Sequence, residues 1–218
     1  MFDNPKRAFL EAFFLALIVF VFGIMLGISF ENNRLVEIND YYTLSEISLM
    51  DSLALNGMVD LDTFSCPDLI RNNIDFADRI YDEAVTLEKY EESGDLTDSL
   101  KLAHRKYDIL RTILWINVMK TREKCAGNFS SVVYLYESEP EELEQKATQI
   151  VWSRILFDLK QEYGDRIILI PISVDSGVSS LSSITNRLNI SGYPAVVIND
   201  KNVLYSLVSA EDIKKYLK

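Results

Sequence analysis

The chain has 218 residues and a formal charge of −11. That length supports one large domain or two small ones with a real core. The acidic balance, with no basic stripe along the chain, argues against a nucleic-acid partner. Residues 31–128 carry 19 acidic and 11 basic side chains, whereas 129–218 carry 12 and 9, so the surplus acid lies mainly in the middle.

The first predicted element is a transmembrane helix over residues 9–30. Phe9 to Phe30 contains a single charge, Glu11, near its beginning. As helix the run rises about 33 Å, enough to cross a bilayer. A cleaved signal peptide would carry a shorter apolar stretch and a clear small-x-small site, so the reading is an uncleaved anchor. Lys6 and Arg7 lie in the short segment 1–8, while only Arg34 follows the span closely. The positive-inside bias then places the N-terminus in the cytoplasm and the remaining chain outside, as a single-pass membrane protein. Gly23 and Gly27 have the spacing of small residues that lets membrane helices approach closely, a possible contact with partner helices.

Residues 31–128 read as a helical domain. Leu35, Ile38, Tyr42, Leu49 and Leu53 continue a helix from the membrane to about Leu55, where Asn56-Gly57 stops it. Ser65-Cys66-Pro67-Asp68 resembles a helix start, with proline in the first turn and an acid close behind. The second helix shows Ile70, Ile74, Ala77, Tyr81 and Ala84 on one face and reaches about Glu92. The third carries Leu100, Ala103, Tyr107, Leu110, Leu114 and Val118. A connection of only a few residues around Ser93-Gly94-Asp95 makes the pair a long antiparallel hairpin. Its charges read by default as a solvated face, with a docking surface as the other reading.

Cys66 opens the second helix and Cys125 closes the third, so the hairpin brings the only two cysteines to one end. In an oxidising exterior they are expected to form a disulfide; two separate buried thiols are the alternative.

From Ser130 the pattern changes to β-α-β-α-β-β-α: a strand over Val132–Tyr136, a helix over Glu139–Glu162, a strand over Arg166–Ile172, and a helix over Ser179–Leu188. Strands Ala195–Ile198 and Val203–Leu207 follow, and a terminal helix begins at Ala210. A strand, helix and strand in succession imply a right-handed parallel crossover.

This order, with the segment Ile190-Ser-Gly-Tyr-Pro-Ala-Val-Val-Ile198, resembles the thioredoxin family over about residues 129–218. Together with the anchor and the helical hairpin domain read above, the chain is expected to be a membrane-anchored α plus α/β protein whose C-terminal domain is thioredoxin-like. The resemblance implies a cis peptide bond at Pro194 and a peptide-binding loop at Gly192, Tyr193 and Pro194. Where the family carries Cys-x-x-C, this chain reads Tyr136-Glu-Ser-Glu-Pro-Glu-Glu-Leu143, so thiol exchange is not expected there. Glu139, Glu141 and Glu142 are read as acids complementing the helix dipole in its first turn.

No zinc-type cysteine spacing, phosphate loop or nucleophile elbow is present in the sequence, and neither cofactor nor metal is expected. His104, the only histidine, is read as structural or surface-exposed. Asn128 and Asn189 begin glycosylation triplets that agree with an exterior location. The functional expectation is a non-catalytic binding or scaffold protein that engages another envelope protein or an extended peptide. The alternative is a thiol-disulfide oxidoreductase or folding factor using Cys66 or Cys125 with a partner.

Overall fold

A computed structural model describes residues 5–57, 65–91, 98–125 and 129–217 of the chain. It contains two compact units, Met1–Leu44 and Ser45–Lys218. The described part of the first, residues 5–44, belongs to helix α1, which runs from Pro5 to Gly57. Inside α1, Phe9–Ser29 has mean hydropathy 2.7 and none of it is buried within the protein, so it is long and apolar enough to cross a membrane.

The second unit contains helices α2 (Cys66–Glu91) and α3 (Asp98–Lys124). The predicted turn at Ser93-Gly94-Asp95 and the sequon at Asn128 lie outside the described residues, whereas Asn189 is exposed. Cys66 and Cys125 form a disulfide, with Cα atoms 5.6 Å apart, and Leu69 packs against it. The buried stripe of α2 is Leu69, Asn73, Phe76, Ala77 and Ile80. Ile70 and Ile74 are half-buried and Tyr81 is exposed, so the stripe is displaced by about one residue from the predicted face. Asn73 explains part of this displacement. It donates to the Leu69 carbonyl and the Thr121 hydroxyl, each at 3.0 Å, so a polar side chain occupies the α2–α3 seam.

The α/β part has strands β1 (Ser130–Tyr136), β2 (Ile167–Ser173), β3 (Ala195–Ile198) and β4 (Asn202–Leu204). Their order is β2-β1-β3-β4. β1 pairs parallel with β2 and antiparallel with β3, and β3 pairs antiparallel with β4. Helices α4 (Leu143–Tyr163), α5 (Ser179–Arg187) and α6 (Ala210–Lys214) complete the unit.

Side-chain alternation divides the sheet into two apolar faces. Val132, Tyr134, Ile167, Val196 and Ile198 form one core with Trp152, Leu156 and Leu159 of α4 and Ile213 of α6. α2 and α3 pack against β2, and α3 also packs against α5, so the hairpin covers the β2 edge that would otherwise present an unpaired strand. Trp115 of α3 is fully buried and donates through Nε1 to Asp200 Oδ1 at 2.8 Å, fastening the helix to the β3–β4 turn. Asn199 and Asp200 hold that turn at φ of 56° and 59°, a conformation that Asn and Asp adopt more readily than other side-chain-bearing residues.

α4 starts at Leu143, later than predicted, so Glu139, Glu141 and Glu142 precede the helix and only Glu144 lies in its first turn. Three hydrogen bonds hold the preceding segment in a non-helical path. The Ser138 and Glu139 amides donate to the Asp175 carboxylate, and the Glu137 amide donates to Gln149 Oε1 at 3.0 Å. Pro140 has no amide to contribute to a helical ladder there.

Candidate functional site

The strand registers bring three chain segments to one end of the sheet. Because β1 and β2 are parallel and β3 opposes β1, Leu135 faces both Ile172 and Ala195. The exits of β1 and β2 and the entry to β3 therefore converge, placing segment 137–142, the turn 174–178 and the Gly192-Tyr193-Pro194 loop at one end. The Tyr193–Pro194 peptide bond is cis. Pro194 is buried, whereas Gly192 and Tyr193 are half-buried. Gln145, on the first turn of α4, donates to the Tyr193 carbonyl at 3.3 Å, tying the loop to the helix.

Side-chain hydrogen bonds order the neighbouring segments. Gln149, one turn beyond Gln145, also donates to the Glu137 carbonyl at 2.9 Å, and so brackets that residue from both sides. The Ser138 and Ser173 hydroxyls lie 2.7 Å apart, and Ser173 hydrogen-bonds the Asp175 carboxylate. Burial alone would raise the Asp175 pKa, but hydrogen bonds from the Ser173 hydroxyl and the Ser138 and Glu139 amides hold it below the usual carboxylate range. No sulfur is present in this segment, and both cysteines of the chain are in the disulfide. Among the described residues no cluster of metal-ligating side chains occurs.

Behind this end of the sheet, α3 contributes a buried charged pair that its sequence pattern does not single out. Asp108 Oδ1 accepts from the Ser173 amide at 3.0 Å and lies 3.9 Å from an Arg111 guanidinium nitrogen. Both side chains are buried. Burial pushes the Asp108 carboxyl up to about 6, against the opposing effects of Arg111 and the Ser173 amide. Arg111 remains charged: burial disfavours the cation, but Tyr107, Tyr136 and Asp108 outweigh it and raise its pKa. His104, one turn before Asp108, is half-buried, and burial followed by the Arg111 charge holds its pKa below the ordinary imidazole value. The nearest sequence signal for this pair is the apolar width of α3, where Leu110, Leu114, Trp115 and Val118 occupy more than one face.

Asp108 makes stability depend on pH. The folded protein holds its proton more tightly than the unfolded chain, so the penalty for ionising it appears as pH rises from about 4 through about 6. Urea titrations of the full chain are expected to show the native protein losing about 2 kcal/mol relative to Asp108→Asn between pH 4 and 7. Asp175 acts in the opposite sense, losing its contribution as pH falls through its lowered pKa, and it is common to both proteins. Parallel stability curves for the two proteins would contradict the assignment.

No protein-family model matches this chain, and no curated protein matches it.

Proposed function

We propose that this is a membrane-tethered, non-catalytic binding protein whose redox-inactive thioredoxin-like domain engages an extended peptide or envelope protein segment at the Pro194 loop. The helix containing Phe9–Ser29 is its anchor, with the N-terminus in the cytoplasm and residues 31–218 outside. The observation that carries the reading is the convergence of the Gly192-Tyr193-Pro194 loop with segment 137–142, which holds no cysteine, at one end of the sheet. The strand order β2-β1-β3-β4, with α4 and α6 packed on one face, supports the thioredoxin-like assignment. A disulfide whose Cys125 is only 2% exposed supports a structural rather than an exchanging role for the sulfurs.

Tyr193 supplies the contact surface and its carbonyl supplies an acceptor. That carbonyl has a second lone pair beyond the one Gln145 uses, so a peptide amide can pair there without displacing the glutamine. The test is amide NMR of the full chain in neutral-detergent micelles, titrated with a library of extended peptides. Shifts are expected at residues 192–196 and around Gln145. Tyr193→Ala is expected to weaken binding by about tenfold, the effect of losing an aromatic anchor. Binding peptides that leave the amides of residues 192, 193, 195 and 196 unmoved would overturn the proposal.

A further inference from the structure

A cavity of about 480 Å³ opens between α4, the β2 edge and the α2–α3 hairpin. That volume falls within the roughly 300 to 1,000 Å³ of pockets that enclose small organic ligands. Tyr81 of α2 and Phe157 of α4 contribute aromatic walls and are stacked at 6.4 Å between centroids. Ile150, Leu169 and Pro171 extend the apolar lining.

Arg111 supplies its charged element. It is 6% exposed and lines the cavity. Its guanidinium carbon lies 4.2 Å over the Tyr107 ring and its side chain hydrogen-bonds that of Tyr136, while its enclosed Nε has no hydrogen-bond partner. Asp108, the acid beside it, is 3.9 Å away, beyond hydrogen-bond distance, and the same Asp108 oxygen accepts from the Ser173 amide. Arg111 thus gives the cavity wall a largely desolvated cation, an arrangement that favours an anionic acceptor. Lys146 adds a second cation to the lining and Glu137 the one carboxylate, leaving a formal balance of one positive charge among the described lining residues.

We propose that this cavity binds a monoanionic amphiphile, whose carboxylate or phosphate head accepts from Arg111 while its hydrocarbon body lies along Tyr81, Phe157 and Leu169. Gly192, Tyr193 and Pro194 are not among the cavity-lining residues, although Glu137, Ser138 and Gln149 of the same sheet end are, and the inference stands whether or not peptide engagement at Pro194 holds. A free single-chain amphiphile and a membrane lipid both offer this chemistry.

The test uses the full chain in neutral-detergent micelles and dodecanoate carrying a terminal diazirine. Photolysis is expected to label α4 and β2 peptides around Ile150, Phe157 and Leu169. Unlabelled dodecanoate or phosphatidate should compete, whereas dodecanol should not. Competition by dodecanoate alone identifies a free amphiphile, and competition by phosphatidate alone identifies a lipid; either outcome supports the anion site. Arg111→Met is expected to weaken the labelling at least tenfold, with Arg111→Lys recovering part of it. The competition series on the unaltered protein decides the matter even if Arg111→Met does not fold. Equal competition by dodecanol, or no labelling of the α4 and β2 peptides, would overturn the proposal.

Discussion

Replacing Cys66 and Cys125 together by serine is expected to lower the unfolding free energy of residues 45–218 by about 4 kcal/mol. The magnitude comes from the chain-entropy model, because the bridge spans 59 positions and closes a long loop in the unfolded ensemble. The native surroundings agree with a structural bridge: Leu69 and Cys125 are each 2% exposed, and the Cys66–Cys125 bond joins the two ends of the hairpin that packs on β2. Urea unfolding of the full chain in micelles, oxidised against the double serine variant, measures the difference. A change below about 1 kcal/mol would mean that the hairpin ends are held mainly by other contacts. Under conditions where the variant remains folded, peptide binding at the Pro194 loop should be retained, which a reaction depending on either sulfur would not allow.

Asp200→Ala is expected to cost about 3 kcal/mol, because one carboxylate serves two elements. Asp200 Oδ1 accepts from Trp115 Nε1 and Oδ2 from Arg122, both at 2.8 Å. Removing it leaves an indole N–H without its acceptor and a largely buried guanidinium without its carboxylate; the Arg122 and Asp200 side chains are 15% and 17% exposed. Arg122 retains a 3.2 Å bond to the Ser131 hydroxyl, which limits the loss. Asp200→Asn preserves the turn conformation and an acceptor for Trp115 but abolishes the ion pair, so its cost should fall between native and alanine. Denaturant unfolding followed by tryptophan fluorescence distinguishes the three proteins. Equal stabilities for the asparagine and alanine variants would show that the turn-to-α3 contact does not depend on the Trp115 bond.

Regular periodicity made much of this fold legible. The β1 run Val132–Tyr136 and the β3 run Ala195–Ile198 lie within buried strands at the positions their apolar patterns predict. Tyr107, Leu110, Leu114 and Val118 of α3 are buried at helical spacing as expected. The β1–α4 segment was less legible because three glutamates at a helix start satisfy the dipole rule equally well in helix and in loop. The contacts that decide for loop come from Asp175 and Gln149, respectively 36 and 10 positions beyond Glu139. β4 ends at Leu204, where the sequence predicted strand to Leu207, and Tyr205 and Leu207 are exposed. Their apolar character mimics a strand without the pairing that makes one.

The buried polar residues were the least legible part. Asp108 and Arg111 lie three positions apart on a helix, a spacing indistinguishable from that of a solvent-exposed ion pair. Their role follows from α3 lying between α2, β2 and α5, so that polar side chains outside the apolar stripe are also enclosed. Thr112, Asn117 and Thr121 are buried for the same reason. The cavity could not be read from sequence at all, since its walls come from α2, α3, α4 and two strands distant in the chain.

Tethering outside the membrane and a bridge that is structural rather than exchanging are the two requirements of the binding-protein account, and one labelling experiment on intact cells addresses both. Cells expressing the full chain are treated with a membrane-impermeant maleimide, with or without an impermeant phosphine reductant, and the Cys66 and Cys125 peptides are analysed by mass. The account predicts a linked pair that is unlabelled until reductant is added from outside and labelled afterwards. Free thiols that react only after lysis would contradict the exterior placement, and a free external thiol that labels rapidly without reductant would contradict the structural disulfide.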